Sequence, residues 1–254
     1  MSQFTTKLIT CQIDHKKALA VLIDPDKNNE SVSNIAQLCE QNQVDFIIVG
    51  GSLLSSSNLQ NTILSIKQHY SGFVYLFPGN EMMIAPEADG ILFLSLLSGR
   101  NPEYLIGKHI NAAPLLIQSN LDVVPTAYIL IDGGRETSVS YISNTKPIPS
   151  DKPDIATATA LAGQLLGFKC TYMDAGSGAL NAIPAELIQK VKKHTQIPLV
   201  IGGGIKNAQN AVDAYNAGAD LLVIGNGVED NSNLIVTISN VKHQLNNQIL
   251  SQNL

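Results

Sequence analysis

Three stretches of the second half decide the fold: Thr171-Tyr-Met-Asp-Ala-Gly-Ser-Gly178, Pro198-Leu-Val-Ile-Gly-Gly-Gly204 and Leu221-Leu-Val-Ile-Gly-Asn-Gly227. Each is a short apolar run that ends in a glycine-rich turn. Glycine has no Cβ, so backbone N–H groups at a strand-to-helix turn can approach an anion closely. Three such turns at the ends of consecutive predicted strands indicate a phosphate-binding cup.

Outward from these turns, apolar runs rich in β-branched residues recur along the whole chain. Each is continuously apolar, which is typical of parallel strands buried on both faces. Helical patterns separate most of them, and the alternation predicts a (β/α)8 barrel, with a doubly wound open sheet as the alternative. No Gly-x-Gly-x-x-Gly follows the first run, which counts against a dinucleotide-binding half. The runs span 18–24, 46–50, 73–77, 91–97, 127–132, 171–173, 199–201 and 221–224.

Composition narrows the class further. The 254 residues match the length of one α/β barrel, so a single domain over 1–254 is expected. A net charge of −5 argues against a nucleic-acid surface. The 3 cysteines form no Cys-x-x-Cys pair and favour a reducing cytoplasm. Neither a signal-peptide pattern nor a bilayer-length apolar stretch is found, so we expect a soluble protein that is still able to work at a membrane face.

Asp24 ends the first run, where the following proline fixes the direction in which the chain leaves the strand. In a barrel, the residues after each strand meet at one face and form the site. Carboxylate and hydroxyl oxygens suit a hard cation such as Mg²⁺, and Ser52, just beyond the second run, is the neighbouring oxygen. The alternative is that Asp24 only caps a helix. Asp26 and Lys27 are interpreted as a solvated turn.

Asp174 follows the sixth run beside the cup and is a candidate general base for a substrate hydroxyl. An Asx turn that organises the loop explains the same residue nearly as well. Tyr172 is a candidate partner for a ligand, or an inward tyrosine that satisfies its own hydroxyl. The 5 histidines lack metal-ligand spacing, and neither a Ser/His/Asp arrangement nor a nucleophilic cysteine is evident.

Two further segments stand out. The connection over 133–153 contains Pro147, Pro149 and Pro153 and is too long for an ordinary strand-to-helix turn, which predicts a functional cover. A helix is then expected to resume at Asp154. After Leu234 the pattern predicts a final helix that frays in an Asn/Gln-rich end.

With these motifs the chain resembles geranylgeranylglyceryl phosphate synthase and its bacterial prenylglyceryl phosphate synthase relatives over nearly its whole length. The glycine turns alone fit several phosphate-binding barrels, but their combination with the first, fourth and prolyl motifs is specific. The resemblance rests on Leu22-Ile-Asp-Pro-Asp-Lys27, Val49-Gly-Gly-Ser52, Phe77-Pro-Gly-Asn80, Ser95-Leu-Leu-Ser-Gly-Arg-Asn-Pro102, Lys146-Pro-Ile-Pro-Ser-Asp-Lys-Pro153, Tyr172-Met-Asp-Ala-Gly-Ser-Gly178, Gly202-Gly-Gly-Ile-Lys206 and Gly225-Asn226.

The resemblance implies a modified (β/α)8 TIM barrel that uses Mg²⁺ to transfer a prenyl group, geranylgeranyl by expectation, from a prenyl diphosphate to the C3 hydroxyl of sn-glycerol 1-phosphate. Asp24 and Ser52 would be the metal ligands, and Asp174 and Tyr172 the catalytic residues. Asp174 stands where the family commonly has glutamate, so its carboxyl arm is one methylene shorter. Glycerol phosphate would be held by Tyr172, Met173, Asp174, Ala175, Gly176, Ser177, Gly178, Gly203, Gly204, Gly225 and Asn226.

The prenyl chain would lie along apolar residues that include Leu53, Leu54 and Leu96, with Tyr104 either limiting its length or only packing. The resemblance also implies a cytoplasmic homo-oligomer of ether-lipid biosynthesis, without nucleic acid, that meets a membrane surface transiently when product leaves. Other phosphosugar enzymes on the same barrel and a flavin-binding oxidoreductase remain alternatives. So does a non-catalytic protein that binds a phosphate ligand.

Overall fold

The computed structural model of the protein describes residues 2–26, 29–53 and 58–252. Across these residues eight parallel strands, each hydrogen-bonded to its sequence neighbours, close into a barrel. The predicted barrel is therefore confirmed, and the open-sheet alternative is wrong. The strands are β1 (Ala18–Ile23), β2 (Phe46–Gly50), β3 (Phe73–Phe77), β4 (Gly90–Leu96), β5 (Asp122–Leu130), β6 (Cys170–Asp174), β7 (Leu199–Gly202) and β8 (Leu221–Ile224).

Helices surround the barrel, and one connection lacks a helix. Segment 78–89, all of it described, joins β3 to β4 through turns alone, and this makes the barrel a modified one. A π-helical turn (Glu103–Gly107) precedes the helix after β4. The helices are α1 (Gln3–Ile13), α2 (Asn29–Gln41), α3 (Leu59–Lys67), α4 (Lys108–Ser119), α5 (Ser138–Ser143), α6 (Pro153–Leu165), α7 (Ala185–His194), α8 (Ala208–Asn216), α9 (Asn226–Asp230) and α10 (Asn233–Gln252).

Strand side chains alternate between two cores. One set points outward and packs against the helices, as Ile47 and Ile201 do. The other fills the barrel, as Phe46 and Val200 do. Burying such an aliphatic side chain stabilises the fold by about 1.5–3 kcal/mol. Because both faces are covered, the strands read as continuously apolar in the sequence.

Helix α1, which was not among the predicted helices, seals the amino-terminal end of the barrel. Phe4 is fully buried, with its ring 4.6 Å from that of Phe46 and 5.1 Å from that of Tyr75. The Asp122 carboxylate accepts hydrogen bonds from the backbone N–H of Gln3 at 2.8 Å and from Tyr75 Oη at 2.6 Å. The barrel is therefore plugged at this end, and a site can open at the other end.

Several strand boundaries shift by one residue from the predicted ones, and β5 shifts most. It begins at Asp122 rather than at 127, since β4 offers it a partner for every residue from Gly90 onward. The predicted cover over 133–153 contains α5, whose first residue follows a capping box at Thr137. Helix α10 extends through the Asn/Gln-rich stretch to Gln252. Within the described ranges, no helix has both the length and the apolar character needed to cross a membrane.

Candidate active site

A cavity of about 650 Å³ opens where the strands end, at the face opposite α1. This size lies within the range of small-molecule sites. The turns after β1, β2, β6, β7 and β8 contribute to its wall. Of the sequence-predicted site residues, those that line it are Asp24, Ser52, Tyr172, Asp174, Gly176, Ser177, Gly178, Gly203, Gly204, Gly225 and Asn226.

Two of the predicted residues lie behind this wall. The Met173 side chain is fully buried in the outer core between the barrel and the helices. Ala175 is 1% exposed, and its backbone N–H donates to the Gly202 carbonyl at 3.0 Å. Neither side chain reaches the cavity, so their contribution to it is the path of the backbone.

The turn after β7 brings backbone very close to the turn after β6. Gly203 has a φ of +77°, and a Cβ placed on it would lie 2.7 Å from Asp174 Oδ1 and 2.8 Å from the Gly176 nitrogen. Gly204 has a φ of +72°, and its Cβ would lie 2.5 Å from the Asn181 carbonyl oxygen. Only glycine combines this backbone conformation with this approach. The same stretch that decides the fold thus forms one wall of the cup.

The turns after β6 and β8 are joined across the cup. Ser177 Oγ donates to Asn226 Oδ1 at 2.8 Å, and both residues are exposed to the cavity side. This bond links two of the three glycine-rich turns through side chains, while Gly203 links the third by contact. The three turns therefore form one concave surface with backbone N–H groups along it, as an anion site requires.

Asp174 is 9% exposed and is held at both carboxylate oxygens. Oδ1 accepts the Gly176 N–H at 2.8 Å, which is the Asx turn considered above, and Oδ2 accepts Tyr128 Oη at 2.6 Å. Burial raises the pKa of this carboxyl, and the two hydrogen bonds act in the opposite direction. A carboxylate with a raised pKa is a stronger base toward a substrate hydroxyl. Asp174 can therefore form the Asx turn and still act as a general base in this geometry.

Tyr172 stands beside Asp174 on β6, with its ring edge-on to those of Tyr128 and Phe77 at 5.5 Å each. Burial and the nearby Asp174 raise the pKa of the Tyr172 hydroxyl well above its ordinary value, so it stays protonated. Among the residues that the structure describes, none hydrogen-bonds this hydroxyl, although it borders the cavity. It is therefore available as a donor to a ligand.

Asp24 and Ser52 lie on the other side of the cavity. Asp24 Oδ1 accepts the Asp26 N–H at 3.0 Å, which forms a local turn rather than a helix cap. Its Oδ2 lies 3.8 Å from where a Cβ on Gly51 would stand, and thus faces the turn that carries Ser52. No described residue donates to this Oδ2. A carboxylate oxygen with no described donor, which faces the turn that carries the Ser52 hydroxyl, fits Mg²⁺, because this ion keeps several waters and takes other ligands from substrate phosphates. Lys27 lies outside the described residues.

A second, apolar groove of about 90 Å³ lies beside the main cavity, between the β3–β4 connection and α4. Ser52, Phe77, Tyr128 and Val139 line both, so the two spaces adjoin. The groove exists because no helix covers the β3–β4 connection. Further along it lie Ile84, Ile91, Phe93, Leu94, Leu96, Ala112, Leu116 and Ile142.

The predicted chain-binding residues divide between these spaces. Leu96 lines the groove, as predicted, whereas Leu53 lines the main cavity and is 61% exposed. Leu54 lies outside the described residues. Tyr104 borders the groove and donates from Oη to the Ile142 carbonyl at 3.3 Å, and Lys108 Nζ lies 5.1 Å from its ring centre. The Tyr104 side chain thus spans from the π-helical turn to α5.

Sequence reasoning did not assign several of the cavity residues, among them Phe77, Tyr128, Arg135 and Lys206. A sequence signal for Tyr128 was present, since it is a tyrosine within the fifth apolar run, as Tyr172 is within the sixth. In the structure the two residues pair in register on neighbouring strands and point in the same inward direction. Arg135 offered no such signal, because it lies in the irregular part of the predicted cover. Arg135 reaches the cavity only because of the way the connection over 133–153 folds.

The chain was compared with known proteins. The sequence model of the PcrB family matches residues 11–242. The geranylgeranylglyceryl phosphate synthase of Spirosoma linguale is 45% identical over 240 residues, which cover 94% of this chain and 96% of that protein. The protein of the same name from Pyrococcus furiosus is 39% identical over 220 residues, which cover 86% and 87%. The crystal structure of (S)-3-O-geranylgeranylglyceryl phosphate synthase from Thermoplasma acidophilum in complex with sn-glycerol-1-phosphate has a TM-score of 0.90 at 32% identity, and covers 97% of this chain and 100% of that one.

Proposed function

The chain belongs to the PcrB family, and from this membership we propose that it transfers a geranylgeranyl group from a prenyl diphosphate to the C3 hydroxyl of sn-glycerol 1-phosphate. The products are a prenylglyceryl phosphate ether and diphosphate. One observation carries the proposal: an apolar groove adjoins a glycine-lined cup, and the buried carboxylate in the cup is bonded to Tyr128, which lines both spaces. A substrate with a long hydrocarbon tail and a small phosphorylated acceptor need these two spaces side by side.

Glycerol phosphate binds in the cup formed by the turns after β6, β7 and β8. Backbone N–H groups of these turns donate to its phosphate, and Ser177 and Asn226 keep the turns in register. The glycerol part then extends toward Tyr172, whose free hydroxyl donates to it, and toward Asp174. Such a pose places the C3 hydroxyl near the carboxylate that receives its proton.

In the transfer step, the bond between C1 of the prenyl group and the diphosphate oxygen breaks, and its electron pair leaves with the diphosphate. The C3 oxygen of glycerol phosphate forms the new bond to C1 and releases its proton to the Asp174 carboxylate. Tyr128 and the Gly176 N–H hold this carboxylate in place throughout, and bury it from bulk water. Positioning of this kind removes much of the entropy cost of a bimolecular reaction.

We propose Mg²⁺ as the cofactor, held by Asp24 and Ser52. When bound, the ion supplies positive charge for the departing diphosphate. The Asp26 N–H donates to Asp24 Oδ1 and so holds Asp24 for this role, while Oδ2, which has no donor among the described residues, faces the turn that carries Ser52. Because Ser52 also lines the groove, the diphosphate end of the donor lies at the groove entrance.

The experiment is a product assay. Purified protein is incubated with labelled sn-glycerol 1-phosphate, Mg²⁺ and prenyl diphosphates of graded length, and organic-extractable product is identified by mass. We expect ether product with the geranylgeranyl donor, and loss of turnover in Asp24→Ala with the circular dichroism spectrum and unfolding midpoint retained. If no donor of any length places the label in the organic phase, the proposed activity is refuted. Full turnover and magnesium dependence in Asp24→Ala would remove this residue from the metal site.

We further propose that the protein acts as a cytoplasmic homo-oligomer that meets a membrane surface only when its amphiphilic product leaves. Three buried free cysteines support a reducing compartment. Large apolar side chains exposed along the π-helical turn and α4, namely Ile106, Ile110 and Ile117, support a subunit contact. Light scattering at several concentrations tests the oligomer, and a monomer throughout would refute it.

A further inference from the structure

The proposed cup has a charge problem. The residues assigned to glycerol phosphate contribute a single charged side chain, the carboxylate of Asp174, and two other carboxylates, Asp24 and Asp230, line the same cavity. A phosphate monoester carries about −1.5 to −2 charge at neutral pH. Like charges a few ångströms apart in a partly buried space repel strongly. Backbone N–H groups offset this repulsion in part, and a cationic side chain at the cup would offset more of it.

Two cations line the described part of the cavity, and both reach it from turns beside the cup: Arg135 and Lys206. Lys206 Nζ donates to the Leu180 carbonyl at 3.0 Å, which fixes its charge over the turn after β6. A carbonyl does not neutralise an ammonium. Arg135 is exposed and makes no hydrogen bond or ion pair with any residue within 2–26, 29–53 and 58–252. Its five N–H donors are unused.

The loop that carries Arg135 is fixed to the cup. The Gly133 carbonyl accepts the N–H groups of Leu180 and Asn181, each at 3.0 Å, so the residue two positions before Arg135 is bonded to the turn after β6. The Gly134 N–H donates to Asp132 Oδ1 at 2.8 Å and closes the loop on itself. The arginine is therefore carried by a braced segment, not by a free one.

The position of Arg135 also indicates which of the two phosphate-bearing substrates it contacts. In the closed order of eight strands, β5 lies opposite β1, so Arg135 and Asp24 approach the cavity from opposite sides. The turn after β6, to which the arginine loop is bonded, belongs to the glycerol phosphate cup. The diphosphate, by contrast, is placed at Asp24 and Ser52. The arginine thus approaches the cavity from the side that carries the turn after β6, where the acceptor is placed.

We infer that Arg135, supported by Lys206, is a binding residue for the phosphate of sn-glycerol 1-phosphate. Its planar guanidinium donates two parallel hydrogen bonds to phosphate oxygens that the backbone turns leave open. This inference rests on the proposed function, because it assumes the acceptor that the proposed function names. It adds the cation that completes the cup and makes Arg135 a determinant of acceptor affinity.

The test measures Arg135→Gln in steady state and by calorimetry, with Lys193→Gln, a change at an exposed lysine of α7 away from the cavity, as the matched control. We expect the KM for sn-glycerol 1-phosphate to rise about tenfold or more, as the loss of a charge-assisted hydrogen bond predicts. The kcat and the KM for the prenyl diphosphate stay unchanged, and Arg135→Lys recovers part of the affinity. Lys193→Gln matches the wild type in all values.

Calorimetric titration of sn-glycerol 1-phosphate without a donor separates this inference from the proposed function. If the wild type binds it and Arg135→Gln binds it equally, this inference is overturned and the proposed function stands. A raised KM for the prenyl diphosphate with acceptor affinity unchanged also overturns it, since the arginine would then serve the diphosphate. If the wild type neither binds sn-glycerol 1-phosphate nor turns it over, the proposed function and the inference about Arg135 are both refuted.

Discussion

The hydrogen bond from Tyr128 to Asp174 should set the pH at which Asp174, the proposed general base, becomes protonated. Its length is 2.6 Å, and the two side chains are only 3% and 9% exposed. A bond of this kind favours the charged carboxylate and so opposes the rise in pKa that burial causes. Tyr128→Phe removes the hydroxyl and keeps the ring that packs 5.5 Å from Tyr172. The pKa of Asp174 should then rise further.

The size of the effect follows from the type of bond. A hydrogen bond to a charged group contributes about 1.5–3 kcal/mol, which corresponds to about 1–2 pKa units at 1.36 kcal/mol per unit. The assay is the pH dependence of kcat/KM, whose acidic limb reports protonation of the base in the free enzyme. We expect this limb to move to higher pH in Tyr128→Phe by about that amount. Activity on the alkaline side of the limb should be retained in larger part.

Tyr172→Phe is the matched control, because no described residue shares a hydrogen bond with its hydroxyl. It should reduce turnover through the lost donor to the acceptor while the acidic limb stays in place. An acidic limb that is unmoved, or that moves to lower pH, in Tyr128→Phe would refute the reasoning. An equal displacement in both variants would show that the hydrogen bond is not its cause.

Three further predictions follow from burial and close contacts. Burial raises the pKa of Asp174 above that of an unfolded aspartate, so the folded wild type binds extra protons and loses stability as the pH rises from the unfolded pKa through the folded one. Asp174→Asn should therefore abolish turnover yet unfold at a higher urea concentration at neutral pH, and equal urea midpoints would contradict this. In Gly203→Ala the new Cβ would stand 2.7 Å from Asp174 Oδ1, so binding of glycerol phosphate, measured by calorimetry, should weaken. Gly178→Ala should weaken it far less, because Gly178 has a similar φ of +75° but no atom within 4 Å of the added Cβ. Asp122→Ala should lower the free energy of unfolding by about 2–3 kcal/mol, because it removes the hydrogen bonds that Asp122 accepts from Tyr75 Oη and from the first residue of α1. The KM values measured on the same variant should not change.

Much of the barrel was predictable because its strands are buried on both faces. The runs from 46–50 and 73–77 match β2 and β3 residue for residue. Strand β5 was predicted less well, since Pro125 lies within it and proline disfavours a central strand. Helix α5 was missed because it is short and depends on a capping box at Thr137 rather than on an apolar stripe.

The candidate site was predictable to the extent that it consists of strand ends. Asp24, Ser52 and Asp174 could be placed together because each lies at or just beyond the end of a strand, and the barrel brings such positions to one face. Local pattern gave no information on what each side chain would contact. The alternative roles of Asp174, Asx turn or base, turned out not to exclude each other, because one oxygen makes the turn and the other faces Tyr128.

The order of the strands, the glycine turns and the positions of the carboxylates follow from residues adjacent in the chain, so the sequence alone predicts them. Three other features arise only when the chain is folded: the groove left by the helix-free β3–β4 connection, the pairing of Tyr128 with Asp174, and the approach of Arg135 to the cup. Tyr128 and Asp174 are 46 residues apart in the chain. Their contact depends on strand register and on barrel closure, both of which are fixed by packing throughout the domain and not by any local pattern.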